Sequence, residues 1–292
     1  MSGAAPTIAS VSGKGSWEDA VAWARGTPEM ADLVQVCYYD DPIEAAAARF
    51  KAGEEWLAIK SFLPPRPGTR VLEIGAGRGI LSCAFASEGC EVHALEPDRS
   101  LLVGSGAIRQ LCAAAGVAIN IVETVGERLP FDDRHFDYVC CRGVLHHVRD
   151  LGQVCREAFR VLRPGGKLLA IKEHAADTSD QLAAFLKSHP LHHLYGGEHA
   201  FPLAAYRQAL RDAGFRRIRD FGPFDHPITS APATTTEAIR ANLRRALALR
   251  LPHRIAARLA GTEAAVAAYR KWLTFRCSTP GRPHSFLALR PA

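Results

Sequence analysis

The chain has 292 residues, 48% of them apolar and 23% charged, with a formal net charge of +6. That is enough apolar sequence for one large core, or for one α/β domain with additions. No stretch approaches the ~20 apolar residues of a membrane span, and no opening segment has the order of a signal peptide, so a cytoplasmic protein is expected. The eight cysteines show no C-x-x-C spacing and read as buried thiols acting as small hydrophobes. Charge is uneven: from Phe201 onward there are sixteen Arg or Lys against five Asp or Glu. That basic end would suit either a polyanionic partner or a solvated helical face.

Residues 1–16 are small, polar and aperiodic, and are expected to be a disordered tail. Residues 17–66 read as an N-terminal helical cap. Ser16 would start a helix that places Trp17, Val21 and Ala24 on one face. A loop carrying Tyr38 and Tyr39 leads to a second helix over 43–62, ended by Pro64-Pro65. From Val71 the pattern alternates strand and helix, which predicts right-handed βαβ units and a parallel sheet. Strands are expected at 71–74, 91–95, 119–123, 136–141 and 167–172, with helices at 80–88, 100–115 and 151–162. A helix over 203–213 and a strand over 217–221 follow, and the last strand falls at 285–290. Between these last two strands, 223–283 reads as a helical insertion, with arginine-rich stretches at 234–251 and 254–275 that would form a cap or a dimer surface. The core is therefore 67–222 with 284–292.

The segment VLEIGAGRG, Val71 to Gly79, anchors this organisation. Its glycines allow positive φ and close approach of a ligand. The following helix would turn its unpaired N–H groups toward the crevice above the strand ends. The spacing misses G-x-G-x-x-G, and Glu73 before the glycines would repel a pyrophosphate and suit a cation. Glu96, at the tip of the second strand, is placed to accept hydrogen bonds from ribose hydroxyls.

Here the chain resembles the class I S-adenosylmethionine-dependent methyltransferases. Their first motif, E/D-x-G-x-G-x-G, is matched by Glu73, Gly75, Gly77 and Gly79. Their later L-P-F and L-x-P-G-G segments are matched by 129–131 and 162–166. The resemblance implies a Rossmann-like fold: a mostly parallel seven-stranded sheet with helices on both faces, an N-terminal helical cap and a helical insertion before the last strand. It implies S-adenosyl-L-methionine as cofactor and S-adenosyl-L-homocysteine as product. Cofactor contacts would come from Glu73, Gly75, Ala76 and Gly77, from Glu96 and Pro97, from Gly126 and Glu127 at the adenine, and from Arg142 and Gly143 at the methionine part. The family's adenine-binding aspartate is replaced by Val125. Helices before the first strand often close over the cofactor in this family, which makes Tyr38 and Tyr39 candidates to line the site.

Methyl transfer needs positioning, plus a base where the acceptor is a hydroxyl or a protonated amine. His146 and His147 follow the fourth strand, and Glu173 and His174 follow the fifth. A histidine-rich lid at about 176–202 adds His193, Tyr195, Glu198 and His199. His147, His174, His193 and His199 are the catalytic candidates. The prolines and glycines of residues 188–199 lack the helical i, i+4 spacing of zinc ligands, so no metal is expected. The favoured reading is O- or N-methylation of a small molecule, with no nucleic acid and with the insertion as a homodimer surface. Methylation of a polyanion through the arginine-rich part and a non-catalytic cofactor-binding scaffold are the competing readings.

Overall fold

The computed structural model describes residues 15–292, so the tail expected over 1–16 lies almost wholly outside the described residues. Of its last two residues, Gly15 donates its N–H to the Leu194 carbonyl, and Ser16 exchanges a capping box with Asp19. This box starts α1 (Trp17–Gly26). A short α2 (Ala31–Val36), absent from the sequence expectation, precedes the loop of Tyr38 and Tyr39. The single helix expected over 43–62 is two, α3 (Ile43–Ala52) and α4 (Glu54–Phe62). Gly53 adopts an extended conformation between them, and an isolated glycine is where a helical pattern breaks most cheaply.

The core follows the anticipated order with shifted ends. It runs β1 (Arg70–Ile74), α5 (Ile80–Ala86), β2 (Glu91–Leu95), α6 (Ser105–Ala115), β3 (Asn120–Val122), β4 (Phe136–Arg142), α7 (Leu151–Val161) and β5 (Leu162–Ala175). The α6 helix starts five residues later than its apolar pattern suggested. The Ser100 hydroxyl accepts the N–H groups of Leu102 and Val103, and Asp98 accepts that of Ser100, so this segment is held as a turn. After β5 come α8 (Ser179–Ser188), α9 (His192–Tyr195), α10 (Leu203–Asp212) and β6 (Arg216–Phe221). The insertion contains α11 (Pro227–Ser230), α12 (Thr236–Ala248), α13 (His253–Ala260) and α14 (Glu263–Arg276), and β7 (Arg282–Leu289) closes the fold.

The seven strands form one sheet in the order β3-β2-β1-β4-β5-β7-β6. Strands β1 to β5 pair in parallel, and β7 is antiparallel to both its neighbours. Alternation along the strands splits the core in two. Val71, Cys140, Leu169 and Ile171 pack toward α3, α4 and α5, while Leu72, Ile74, Val139, Cys141 and Leu168 pack toward α7 and α10. Each such side chain, fully buried, contributes about 1.5–3 kcal/mol. Their period of two on strands covered on both faces explains the continuous apolar runs in the sequence.

That alternation fails at one place that matters. The register between β5 and β7 shifts between Ala170 and Glu173, and Lys172 has φ +58°. Simple alternation would send Lys172 toward α7. The bulge turns it instead toward α4, where its ammonium meets Glu55, and leaves Glu173 facing the loop after β4.

The insertion has a small core of its own, Ile239, Leu243, Ala260 and Val266. It is tied to the cap by Glu54, which accepts the Thr236 N–H and hydroxyl, and within it Arg270 is buried against Ser230, Thr236 and the Phe224 carbonyl. Leu249, Trp272 and Phe275 stay exposed. Several arginines that made this part look polyanion-binding are engaged within the chain, Arg240 with Glu263 and Arg290 with main-chain carbonyls among them. Among the described residues, no helix is long and apolar enough to cross a membrane.

Candidate active site

The crevice lies at the carboxyl ends of β1, β2, β4 and β5, where open α/β sheets hold their ligands. Gly75, Gly77 and Gly79 all have positive φ. At Gly75 a Cβ would stand 2.6 and 2.7 Å from the methyls of Val144, so this turn and the loop after β4 are packed against each other through the missing side chain. At Gly77 a Cβ would meet nothing closer than 3.8 Å, which leaves open space over the turn. The buried Ala76 donates its N–H to the Leu95 carbonyl, fixing the turn against the end of β2.

Glu96 completes that junction. One carboxylate oxygen accepts the Gly77 N–H at 2.7 Å and the other the Asp98 N–H at 2.9 Å. Burial pushes its carboxyl above the usual range, and these two N–H donors pull it back in part. Each oxygen keeps a free lone pair, so Glu96 can still accept from ribose hydroxyls. Pro97 is exposed beside it. These residues fit the family's cofactor.

Glu73 departs from expectation. Its side chain is only 2% exposed and turned away under α5, where it accepts the Ser82 hydroxyl at 2.5 Å. Burial pushes its carboxyl up to about 7. It braces the turn from beneath. At the adenine side, a Cβ on Gly126 would lie 2.9 Å from Ile74, so only glycine lets that loop close on β1. Glu127 accepts the Arg149 N–H and, through its carbonyl, the Gln153 amide, which anchors the loop to the start of α7. Val125 is half exposed.

Arg142 is committed elsewhere than the sequence implied. Its guanidinium makes a two-point pair with Glu55 of α4, at 2.8 and 3.2 Å, and lies over the Tyr38 ring. Lys172 joins the same carboxylate at 2.5 Å. Burial works against the charge on Glu55, but the two cations outweigh it and hold its carboxyl below the ordinary value. Burial lowers Lys172 to about 8 in spite of Glu55. Gly143 donates to the Ile171 carbonyl with φ +66°, turning the chain away from β5. Tyr38 is buried against Arg142 and Phe50, and Tyr39 packs on Trp17, so both act as aromatic anchors of the cap. The sequence showed Glu55 only as an acidic residue in the first turn of a helix; nothing local tied it to position 142.

The histidines converge more than expected, but with different members. His146 is buried, with Nδ1 at 2.7 Å from Glu173, which also accepts the N–H groups of Val144 and His146. His174 donates from Nδ1 to the Gly281 carbonyl at 2.7 Å, and its ring lies 4.7 Å from that of His146. His147 donates from Nδ1 to the Gly197 carbonyl at 3.1 Å. Glu198, from the lid, comes within 3.8 Å of His146 Nε2, 3.9 Å of His147 Nε2 and 3.5 Å of His189 Nε2, and accepts the Tyr195 hydroxyl. Burial holds His146 and His174 below the ordinary imidazole range and takes His189 down to about 4. Burial raises Glu173 to about 8, against the pull of its backbone donors.

Of the four catalytic candidates, His147 and His174 therefore stand in this cluster. His199 lies at the edge of the cluster, its ring edge-to-face with that of Phe201. His193 is exposed and donates from Nε2 to the Lys187 carbonyl within the lid, outside the cluster. His146, Glu173 and His189 were not among the four. The sequence expected no metal, yet His146, His174 and Glu198 bring ligand atoms within 4.8 Å of one another.

Residues 72–170 match the family model described as a methyltransferase domain. Over 133 residues the chain is 34% identical to a ubiquinone/menaquinone biosynthesis C-methyltransferase of Vibrio vulnificus, covering 44% of this chain and 49% of that protein. The chain thus spans about half the length of the curated relatives it matches. Among solved structures, a putative sarcosine dimethylglycine methyltransferase from Galdieria sulphuraria aligns with TM-score 0.55 and 19% identity, over 94% of this chain and 98% of that one. A Haemonchus contortus phosphoethanolamine N-methyltransferase bound to S-adenosylhomocysteine aligns with TM-score 0.54 and 18% identity, over 95% and 61%. These two likenesses show the fold. With the glycine turn, Glu96 and the strand order on the page, residues 72–170 are a methyltransferase domain, set in the class I S-adenosylmethionine-dependent methyltransferase fold.

Proposed function

We propose that this protein transfers a methyl group from S-adenosylmethionine to an oxygen or nitrogen of a small molecule enclosed between the glycine crevice and the lid. The observation that carries this is the contact of Gly75 with Val144: it sets the histidines of the loop after β4 directly beside the cofactor turn. The cofactor supplies an electrophilic methyl on a sulfonium. The chain supplies the rest. Glu96 and the glycine turn hold one end of the crevice, and Glu55 with Arg142 and Lys172 fastens the cap beside it. His147 is the proton acceptor. The Gly197 carbonyl keeps its proton on Nδ1, so Nε2 offers a lone pair beside the Glu198 carboxylate 3.9 Å away. The small-molecule reading is favoured by the lid and cap that narrow the crevice, and by the internal pairing of the C-terminal arginines.

The test is calorimetric titration with S-adenosylmethionine and S-adenosylhomocysteine. Native protein should bind in the micromolar range, and Glu96→Ala should weaken binding about ten-fold or more, ~1.4 kcal/mol. In an acceptor screen, His147→Gln should keep cofactor affinity and lower kcat about 10²-fold or more. Absence of binding to either ligand sinks the reading. Binding with no loss in Glu96→Ala sinks the assignment of Glu96.

A further inference from the structure

The hydrogen-bond partners of the histidine cluster determine where its protons are. A carbonyl can only accept, so the bonds of His174 Nδ1 to Gly281 and of His147 Nδ1 to Gly197 place both protons on Nδ1. Both oxygens of Glu173 accept backbone N–H groups, and with Glu173 as the carboxylate the bond to His146 Nδ1 is a donation as well. In all three rings the free nitrogen is Nε2, and it carries a lone pair. For His146 and His147 that lone pair stands 3.8 and 3.9 Å from one carboxylate oxygen of Glu198, itself 7% exposed. That oxygen is buried and has no hydrogen-bond partner. Lone pairs therefore face an anion in a covered space, with no proton between them.

We propose that His146, His174 and Glu198 bind a divalent transition-metal ion of the zinc class, with His147 at the rim of the site. The donor set is two imidazoles and a carboxylate, which suits zinc. Each imidazole has its other ring nitrogen anchored, on a carboxylate for His146 and on a carbonyl for His174. This is the outer shell that orients metal-bound histidines. With bonds of about 2.0–2.1 Å, the ligand atoms of a tetrahedral site stand about 3.3 Å apart. The present separations, within 4.8 Å, close to that by small side-chain movements. Three protein ligands leave one position open toward the crevice. The ligands come from the loop after β4, the end of β5 and the lid, so the ion fastens the lid to the sheet.

The experiment uses the full chain, stripped with chelator and titrated with Zn²⁺, with bound metal counted by elemental analysis. Co²⁺ serves as the spectroscopic probe. Native protein should take up one equivalent and show the visible bands of tetrahedral Co²⁺. Glu198→Gln and His174→Gln should weaken binding about 100-fold or more, while His193→Gln stays within about three-fold. Glu198→Gln should fold, because its amide can donate to Nε2 of His146 and His147. On the native protein, ¹⁵N spectra of the histidine rings give a second readout: Nε2 of His146 and His174 should shift on adding Zn²⁺, and that of His193 should not. Substoichiometric uptake, unchanged affinity in Glu198→Gln, or ring signals of His146 and His174 that ignore Zn²⁺ would each overturn the proposal.

Discussion

Replacing Glu55 with Gln tests whether the cap is held on the sheet by one carboxylate. Glu55 is 1% exposed and accepts from Arg142 at 2.8 and 3.2 Å and from Lys172 at 2.5 Å. Glutamine keeps the shape, removes the charge, and turns an NH₂ toward a cation. Removing one partner of a buried pair costs about 3–5 kcal/mol, because the other charge stays behind uncompensated. Two cations remain here, and they differ. Arg142 cannot lose its proton. Lys172 already sits at about 8, below its ordinary 10.5, and without Glu55 it is driven lower still. The cost at neutral pH should therefore lie near the lower end, about 3 kcal/mol. Between pH 6 and 8 the unfolded variant binds a proton at Lys172 that its folded form releases, so the variant's stability rises with pH. In the native protein Lys172, at about 8, stays charged in both states over most of that window and begins to add the same slope only as pH nears 8. The gap should narrow from pH 6 to pH 8, and Lys172→Met added to Glu55→Gln should recover part of it. Urea unfolding at the two pH values is the assay. A loss below about 1 kcal/mol at both, with unchanged slope, would refute the reasoning.

Gly75→Ala should destabilise by about 2–4 kcal/mol, because φ is +66° and the new methyl meets Val144; Val144→Ala should recover the crowding part and leave the backbone part. Unfolding of the two single variants and the double variant separates these contributions. Glu73→Gln should gain stability relative to the native protein as pH rises from 5 to 8. The folded carboxyl is raised to about 7, so the native state holds a proton that the unfolded state releases, and stability from this group is lost across that window. A difference that does not change with pH would mean that Glu73 is charged in its buried setting.

The sheet was legible because its signals are local. Apolar runs ended by turn residues gave the core strands within a few residues, and the glycine turn marked the crevice. Helix boundaries failed where a single side chain competed with the helix, as at Ser100, or where a lone glycine broke one, as at Gly53. The chemistry was less legible because it depends on contacts between distant segments. Spacing within residues 188–199 bears only on ligands drawn from that window. The ligating set comes from positions 146, 174 and 198, and no window on the sequence contains all three. Lys172 and Glu173 were obscured by the bulge in β5, since period-two alternation assigns each to the opposite face. Arg142 was assigned by resemblance to the cofactor; its partner, Glu55, lies 87 residues away.

Five glutamates, Glu55, Glu73, Glu96, Glu173 and Glu198, are buried around the crevice, and how each is compensated separates structure from function. Burying a carboxylate costs several kcal/mol unless charge or hydrogen bonds offset it. Glu55 has two cations. Glu96 and Glu173 have backbone N–H groups, and Glu173 has the His146 ring in addition. Glu73 has the Ser82 hydroxyl, and burial raises it until it can hold its proton near neutral pH. In each of these four the chain supplies the compensation. At Glu198 the Tyr195 hydroxyl serves one oxygen only, and the other faces ring nitrogens that carry lone pairs. Among the described residues it is the only buried carboxylate with an oxygen left in that state. Glu198 comes from the segment over 176–202, so whatever compensates it also holds that segment against the loop after β4. A cation between Glu198 and the two histidines supplies the compensation that the chain itself does not.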